Sequence, residues 1–491
     1  MNALRIVVLL HVLVSSAVYA QYLPTFPAAN SAVGEELPGI DLGRHWIVAP
    51  DTFCNDGSTP VAYVRRAQNQ ANLNNWIIYL EGGSSCKNGE DCLNRWQSFQ
   101  TNYGIQKMST SISQALWAAW HPGGPAPSGW PLQAGNYQVP PGITGFGIMS
   151  SQAINPFSDW NKVYLNYCSS DIHIGRMTDS FTQGTDNSVS PPQVVNYFIH
   201  FHGDKIFANL INDLRAGVNY CIDRECEELP TLNDAKFVLL SGSSAGGAGV
   251  KHQLDRFRAD QRSINKLTEV RGVIDTSAPM GAELPFPVPP APFTSFDDLT
   301  KDIWDNTFLT FWDAHPDDSC TLENTGDVAW RCADSIHVMR HHITTPYFHR
   351  ADLQDQSAYD PYQSLFFPSP AYPPTVAALE LAERTQAQLR KLGNIEQRFL
   401  PRYPNELNTV AADPQWIGPG IFGPRCTNHV GLIGNITFFN QELPDSAGIP
   451  TSFSDALMQW VTTVPGGIAG PGGPVLIENV GIGSMGFPRC Q

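Results

Sequence analysis

The chain has 491 residues, with 46 acidic and 30 basic side chains and a formal net charge of −16 at pH 7. Its content of 42% hydrophobic and 11% aromatic residues is enough for a full core, which excludes a disordered or fibrous protein. The negative charge argues against nucleic acid or an anionic membrane as the main partner, because both are polyanions that the chain would repel.

The first twenty residues have the pattern of a secretory signal peptide. Arg5 precedes an apolar run over residues 6–14, and small residues at positions 18 and 20 predict cleavage before Gln21. The alternative interpretation of this stretch is a buried core helix. No later stretch reaches the roughly 20 apolar residues that a membrane-spanning helix needs. We therefore expect a secreted, extracellular protein whose mature chain covers residues 21–491.

From about residue 76 onward, apolar runs alternate with helical patterns. Strands are predicted over Trp76–Leu80, Lys162–Leu165, Lys236–Leu240, Val270–Asp275 and Thr345–His349. Helices are predicted near residues 191–215, from the end of the 241–247 segment to about residue 262, and over residues 376–392. Such alternation is typical of a mostly parallel sheet with helices on both faces. Because no linker interrupts it, we expect a single α/β domain.

Residues 277–340 interrupt the alternation. Prolines cluster from Pro279 to Pro292, and the bulky aromatic residues that follow include Trp304, Phe308, Phe311 and Trp312. A segment of this composition is either a lid over a binding cleft or an ordinary packed insertion. The sequence leaves both interpretations open.

The strongest local signal is Gly242-Ser243-Ser244-Ala245-Gly246, a G-x-S-x-G motif between a predicted strand and a predicted helix. A nucleophile elbow needs this context, because small flanking residues tolerate the tight turn that exposes the serine hydroxyl. The N–H group of Ala245 follows the serine and is a predicted oxyanion donor. The motif predicts Ser244 as a nucleophile.

A serine nucleophile needs a base, and in the α/β-hydrolase fold the chain order is serine, acid, histidine. His429 lies in a loop after the last long predicted helix, close to Cys426, and is the predicted base. The other interpretation is a surface loop histidine. His252 lies too far along the elbow helix to reach back over Ser244, and His349 falls in a predicted strand.

The acid is expected at the end of the strand before the last long helix. Asp352 stands there and is the predicted acid, while Asp355 and Asp275 remain alternatives. An aspartate at a strand end is also a common loop cap. Periodicity alone therefore favours Asp352 only narrowly.

A second group of oxyanion donors is expected after an early strand. The segment Glu81-Gly82-Gly83-Ser84-Ser85 ends the first predicted strand, and its glycines allow backbone N–H groups to approach a carbonyl oxygen closely. The alternative is a plain Gly-Gly turn.

Ten cysteines in an exported chain predict disulfides. Nearness alone suggests the pairs Cys86–Cys92, Cys221–Cys226 and Cys320–Cys332. Spacing does not assign the remaining four, Cys54, Cys168, Cys426 and Cys490. Because paired CxxC motifs are missing from the sequence, we predict no metal site. The sequon at Asn435 predicts a glycosylation site in a eukaryotic host.

Several segments together resemble the pectinacetylesterase/Notum family of secreted serine carboxylesterases. They occur in family order over most of residues 50–430. The matching segments are Cys54–Ser58, Tyr79–Gly83 with Cys86 and Cys92, Tyr167–Asp171, Leu240–Val250, Arg271–Asp275 and Cys426–His429.

The resemblance implies an α/β-hydrolase fold in which Ser244 is the nucleophile and His429 the base. It implies an oxyanion hole formed by the N–H groups of Gly83, Ser84 and Ala245. It also implies the disulfides Cys54–Cys168, Cys86–Cys92 and Cys426–Cys490.

Two positions depart from the family pattern. Ser84 stands where an aromatic residue is common, which predicts a more open pocket. The Asp-x-x-Gln pattern of the family acid is replaced here by Asp352-Leu353-Gln354-Asp355, so the assignment of the acid is less secure than that of Ser244 and His429.

We therefore predict a secreted, monomeric, metal-independent serine carboxylic ester hydrolase without a cofactor. Its predicted reaction is removal of O-acetyl groups from an extracellular polysaccharide such as pectin. One alternative is a Notum-like deacylase of long-chain acyl groups on proteins or lipids, with an acyl pocket built from residues 304–312. The other is a binding protein of hydrolase fold that has lost catalysis.

Overall fold

The computed structural model describes most of the chain. The described residues are 41–97, 101–102, 105–112, 137–178, 180–187, 190–222, 225–276, 295–355, 374–393, 417–426, 428–463 and 475–477. The predicted signal peptide, the proline-rich start of the 277–340 insertion and Cys490 lie outside these residues.

The strands and helices of the described residues are bounded as follows. The strands are β1 Leu42–Trp46, β2 Val61–Arg65, β3 Asn75–Leu80, β4 Thr101–Asn102, β5 Ile105–Gln106, β6 Ser111–Ile112, β7 Tyr137–Gln138, β8 Gly142–Ile143, β9 Asn161–Leu165, β10 Ser180–Asp186, β11 Gln193–Ile199, β12 Asn219–Ile222, β13 Glu225–Glu228, β14 Phe237–Ser243, β15 Glu269–Asp275, β16 Tyr347–Arg350, β17 Gly420–Gly423, β18 Glu442–Pro444, β19 Pro450–Ser452 and β20 Val475–Ile477. The α-helices are α1 Gly89–Gln97, α2 Gly203–Ala216, α3 Ala245–Ile264, α4 Phe296–Asp302, α5 Asp318–Glu323, α6 Ser335–His341, α7 Pro374–Gly393, α8 Asn435–Asn440 and α9 Phe453–Thr462. A π-helix spans Ile303–Leu309, and short 3-10 helices span Gln70–Asn72, Gly147–Met149, Leu232–Asp234 and Gly326–Ala333.

One large sheet organises the described part of the molecule, with the strand order β20-β17-β16-β15-β14-β3-β9-β2-β1-β8. The strands from β20 to β9 pair in parallel. The pairings of β9 with β2, β2 with β1 and β1 with β8 are antiparallel. The predicted mostly parallel sheet is therefore present, with an antiparallel extension at one side.

The sheet is covered on both faces. Leu240 of β14 belongs to an apolar cluster that includes Val250 and Leu254 of the following helix. Its neighbour Leu239 points to the opposite face and belongs to a second cluster with Phe453 and Trp460 of α9. Alternate residues of one strand thus pack into two different cores. For this reason the central strands are continuous apolar runs in the sequence and do not alternate between apolar and polar residues.

The predicted helix near residues 191–215 is wrong over its first part. Strand β11 pairs there with β10 in an antiparallel hairpin, and the Phe181 and Phe198 rings lie 5.2 Å apart across it. The helix begins only at Gly203. The β-branched and aromatic residues before it favour a strand once a partner strand is available.

The described part of the 277–340 insertion packs onto the main core. The side chains of Trp304, Phe308 and Trp312 are only 7%, 4% and 2% exposed. Trp312 donates from its indole N–H to the Cys86 carbonyl oxygen at 2.8 Å. Movement of this insertion as a lid stays a prediction.

None of the helices in the described ranges combines the length and apolar composition that a bilayer span requires.

Disulfides join the pairs Cys54–Cys168, Cys86–Cys92, Cys221–Cys226 and Cys320–Cys332. These are the expected pairs for which both partners are described. Cys426 is also disulfide-bonded. Its expected partner, Cys490, lies outside the described residues.

Candidate active site

The predicted site residues meet at the carboxyl ends of neighbouring parallel strands. Ser244 directly follows β14, and the loop after β3 contains Gly83 and Ser84. The loop after β16 contains Asp355, and the loop after β17 contains His429. Because these strands run in the same direction, their carboxyl ends form one edge, where ligands bind in open α/β sheets.

Ser244 occupies a strained turn between β14 and α3. Its φ of 55° and ψ of −121° lie in a region that L-residues rarely adopt. A methyl group on Gly242 would lie 2.5 Å from the carbonyl carbon of Gly246, and one on Gly246 would lie 2.6 Å from that of Leu80. The turn therefore requires glycine on both sides, as a nucleophile elbow does.

A serine, a histidine and an aspartate form a connected chain at this edge. The Nε2 atom of His429 lies 2.7 Å from the Oγ of Ser244. Its Nδ1 lies 2.9 and 3.0 Å from the two carboxylate oxygens of Asp355. This is the connectivity of a catalytic triad, in which the acid fixes the tautomer of the base.

The surroundings of His429 favour its protonated form. Burial alone would lower the pKa of the imidazole, but the hydrogen bond and the charge of Asp355 outweigh burial, so the pKa is raised above 6.5. A base with a raised pKa accepts a proton from serine more readily, provided that the pH keeps it neutral beforehand.

The carboxylate that contacts His429 belongs to Asp355 and not to Asp352, the acid predicted from the sequence. The carboxylate of Asp352 instead accepts hydrogen bonds from Arg350 Nη2 at 2.7 Å and from Gln441 Nε2 at 3.1 Å. Burial raises the pKa of Asp352 to about 7 against the opposing effect of Arg350. Asp352 comes too soon after β16 and remains in the interior, whereas Asp355 lies three residues further along the loop.

The carboxylate of Asp275, the other alternative, is bound by partners other than the imidazole. Its carboxylate accepts from Ser243 Oγ at 2.7 Å and from Arg350 Nη1 at 2.8 Å. It additionally accepts from the N–H groups of Gly431 and Leu432, both at 2.9 Å. Asp275 is thus a buried anchor behind the site.

The Gly-Gly loop after β3 lies against the elbow. A methyl group on Gly82 would be 3.0 Å from the Cβ of Ser244. Gly83 and Ser84 both have positive φ, 137° and 61°. Within the described residues, no hydrogen bond occupies the N–H group of Gly83 or Ser84. Ala245 opens α3, where the first N–H groups have no acceptor within the helix.

The conformation of this loop is held from behind by a buried ion pair of Glu81 and Lys107. Lys107 Nζ also donates to the Gly82 carbonyl oxygen at 3.0 Å. The carbonyl of Gly82 and the N–H of Gly83 belong to one trans peptide unit and point in opposite directions. By binding the carbonyl, Lys107 therefore turns the N–H of Gly83 away from itself and leaves it available as a donor.

Sequence reasoning missed the supporting residues of the site. Lys107 lies in a Gly- and Pro-rich stretch without a pattern that would have indicated it. Arg350 had a recognisable signal, because it directly follows a predicted strand and ends the buried strand of the structure, where a charge requires compensation. His173, whose Nε2 lies 2.9 Å from the Glu81 carbonyl oxygen, follows a segment that was recognised only through family resemblance.

Within the described ranges, one other group of residues has the spacing of metal ligands. Cys320, His337 and His342 each offer one ligand atom, and these atoms lie within 4.8 Å of one another. The sulfur of Cys320 is bonded to Cys332, however, and is not a thiolate. His342 Nε2 lies 3.3 Å from both His337 Nε2 and Asn324 Nδ2. The group is a polar core cluster rather than part of the site at Ser244.

The sheet and the elbow define the class of protein: this is an α/β-hydrolase fold, as the sequence predicts. A search against family profiles matches the pectinacetylesterase family over residues 45–116 and 135–466, which is most of the chain. The chain belongs to the pectinacetylesterase family.

Curated relatives include palmitoleoyl-protein carboxylesterase NOTUM from two animals. The protein from Schmidtea mediterranea is 28% identical over 227 residues, which cover 46% of this chain and 32% of the relative. The protein from Homo sapiens is 27% identical over 241 residues, which cover 48% and 36%. The match thus spans about a third of the length of these relatives.

A solved structure of the Wnt deacylase Notum from Drosophila has a similar fold. The two structures superpose with a TM-score of 0.59, covering 89% of this chain and 97% of the other. Their sequences are 21% identical in this alignment, so the likeness concerns the fold alone.

Proposed function

We propose that the protein is a secreted serine carboxylesterase that removes O-acetyl groups from an extracellular polysaccharide such as pectin. The observation that carries the proposal is the 2.7 Å contact between Ser244 Oγ and His429 Nε2, with Asp355 bound to the other ring nitrogen. Membership of the pectinacetylesterase family supports the same chemistry.

In the proposed mechanism, Ser244 Oγ attacks the ester carbonyl carbon while His429 takes its proton. The N–H groups of Gly83, Ser84 and Ala245 stabilise the oxyanion of the tetrahedral intermediate. His429 then returns the proton to the alcohol as it leaves. A water molecule, activated by the same imidazole, releases the acyl group from Ser244, and Asp355 keeps the ring oriented throughout.

Two features support a secreted enzyme. The first is the signal-like pattern of residues 1–20, and the second is the set of disulfides, which persist in oxidising compartments. Glycosylation at Asn435 and a monomeric state belong to the same proposal. Thr437 of that sequon donates to the Gly434 carbonyl oxygen at 3.1 Å.

A short acyl group is favoured by the packing of the aromatic insertion. The side chains of Trp304, Phe308 and Trp312 are buried in the main apolar cluster. The Phe308 and Trp312 rings lie 5.3 Å apart and contact one another. These residues therefore act as core, which weakens the idea of a long acyl pocket built from residues 304–312.

The second candidate function is removal of a long acyl group from a protein. It is favoured by the curated relatives, which are named palmitoleoyl-protein carboxylesterases, and by the fold shared with the Drosophila Wnt deacylase. A third possibility, a binding protein without catalysis, would leave the contacts among Ser244, His429 and Asp355 without a role.

Hydrolysis of p-nitrophenyl esters from acetate to palmitate tests these candidates. We expect activity that peaks at acetate and is abolished by Ser244→Ala, because removing the nucleophile of such a triad costs about a millionfold in kcat. A peak at eight carbons or more would instead support the protein deacylase. If the wild type cleaves no ester, or if Ser244→Ala retains full activity, the proposed mechanism is wrong.

A further inference from the structure

Three charged side chains form a buried cluster behind Ser244 and His429 that the proposed mechanism does not use. Asp275, Arg350 and Asp352 are 0%, 0% and 1% exposed. Arg350 lies between the two carboxylates, with Nη1 at 2.8 Å from Asp275 and Nη2 at 2.7 Å from Asp352. Charges remain this deep only where partners replace their lost hydration.

Asp275 joins the strand of the nucleophile to the loop of the base. Its Oδ2 accepts from the hydroxyl of Ser243, the residue before Ser244. The same oxygen accepts from the N–H groups of Gly431 and Leu432, which follow His429 by two and three residues. One carboxylate oxygen therefore sets how closely the histidine loop approaches the serine.

Arg350 extends this connection to the loop of the acid. It binds Asp352, and the next two residues of that loop donate backbone N–H groups to the carbonyl oxygens of Pro424, at 2.8 Å, and Cys426, at 3.1 Å. Gly431 lies directly on the guanidinium, with no room for a methyl group. The loops that carry Asp355 and His429 thus rest on the same arginine.

We propose that Asp275 and Arg350 are positioning residues that hold the loops of His429 and Asp355 in register with Ser244. The inference rests on the proposed function, because it assigns a role in the same triad. It also explains why Asp352 is buried at a predicted catalytic position: it is the second partner of Arg350.

The charges of Asp275 and Arg350 shift the pKa of His429 in opposite directions. Burial lowers the pKa of His429, Asp355 and Asp275 raise it, and Arg350 lowers it. These three charged groups act on the imidazole from the strand ends and the loop packed beside it. Removing the charge of Asp275 should therefore move the acid limb of kcat/KM to lower pH. Exchanging Arg350 for lysine should leave the limb in place, because the charge is kept.

The test compares Asp275→Asn and Arg350→Lys with the wild type. We expect each to lower kcat about 100-fold, since a misplacement near 1 Å has that effect, with KM within about twofold. Phosphonylation of Ser244 by a fluorophosphonate, which forms an O–P bond and releases fluoride, should slow by the same factor. This labelling also reports the serine–histidine geometry when the natural ester is unknown.

Arg271→Lys is the matched control. Arg271 is 1% exposed, lies on β15 four residues before Asp275 and donates to the Thr463 carbonyl oxygen at 2.9 Å. We expect this variant to lose stability but to keep kcat and the labelling rate. If Asp275→Asn does not fold, kcat and the labelling rate are measured on Arg350→Lys and Gly431→Ala instead.

The inference is overturned if folded Asp275→Asn or Arg350→Lys has the kcat and labelling rate of the wild type. It is also overturned if Arg271→Lys loses as much kcat as Arg350→Lys. A wild-type protein that labels rapidly but cleaves no ester would contradict the proposed function alone. In that case slower labelling of Arg350→Lys would still support the positioning role.

Discussion

The two sides of Ser244 are held by buried charges in different ways. On the oxyanion side, Glu81 directly precedes the glycines that it supports and pairs with Lys107. On the acid–base side, the supporting pair of Asp275 and Arg350 belongs to strands that carry neither the nucleophile nor the base. On the first side, one of the two charges, that of Glu81, is therefore adjacent in sequence to the loop that it supports, whereas on the second side both charges come from other strands and meet the loops only after the sheet has formed.

The largest expected effect on either side of Ser244 comes from replacing the aspartate that contacts His429. We expect Asp355→Asn to lower kcat about 10,000-fold, because an amide stabilises the wrong imidazole tautomer. Asp352→Asn should cost far less, since burial already raises the pKa of this carboxyl to about 7 and an amide oxygen can still accept from Arg350. Steady-state kinetics with the best p-nitrophenyl ester measures both.

The order of these two effects is the decisive outcome. A larger loss of kcat for Asp352→Asn than for Asp355→Asn would support Asp352, the acid predicted from the sequence, instead of Asp355. It would also mean that the acid–base side rearranges when substrate binds. Circular dichroism and the thermal midpoint of each variant separate loss of folding from loss of catalysis.

On the oxyanion side, Lys107→Met should have a smaller effect. The variant loses the bond to the Gly82 carbonyl, so the N–H of Gly83 is no longer fixed, and we expect kcat to fall by up to the roughly 100-fold that one oxyanion donor is worth. It also removes the positive charge that pairs with the buried carboxylate of Glu81, and breaking a buried ion pair typically costs about 3–5 kcal/mol of unfolding free energy. Urea unfolding and ester kinetics give the two quantities separately.

The double variant Lys107→Met/Glu81→Gln distinguishes the two losses. Removing both charges should restore much of the stability, because no unpaired charge remains in the interior, while kcat should stay low. If kcat recovers together with stability, Lys107 supports only the fold and does not orient the Gly83 donor.

The smallest expected effect concerns the pH dependence of kcat/KM. Because the pKa of His429 is raised above 6.5, kcat/KM should rise with pH through a value above 6.5 as the base becomes neutral. For the same reason the stability that His429 contributes is fully present below its unfolded pKa and is lost as pH rises through its folded pKa. A pH profile of kcat/KM, with Lys107→Met as the comparison, should show the same limb in both proteins. An acid limb at a lower pH than the titration of an ordinary imidazole would contradict this assignment.

The residues that the sequence predicts well are those whose surroundings are local. The elbow around Ser244 follows from a strand, two glycines and a helix that are adjacent in the chain. The Gly-Gly loop follows in the same way from β3. His429 was accessible through chain order and its place near Cys426, both of which are features of the sequence.

The residues that the sequence predicts poorly depend on the path of a loop or on a distant partner. Asp352 and Asp355 lie in one loop, and only its folded path decides which carboxylate reaches the imidazole. Residues 193–199 have helical spacing, but the opposing strand β10 makes a hairpin more favourable. Lys107 comes from a stretch without periodicity, so its contact with the Gly82 carbonyl was not predictable.

The strand order has a consequence for the biosynthesis of the enzyme. From β14 to β20 the strands follow one another across the sheet in the order in which they leave the ribosome. A chain that ends before residue 420 already contains the strands on both sides of Ser244, but it lacks the histidine. The proposed esterase activity therefore requires the C-terminal part of the sheet. During synthesis, Ser244 is thus present before His429, its proposed base, has been added to the chain.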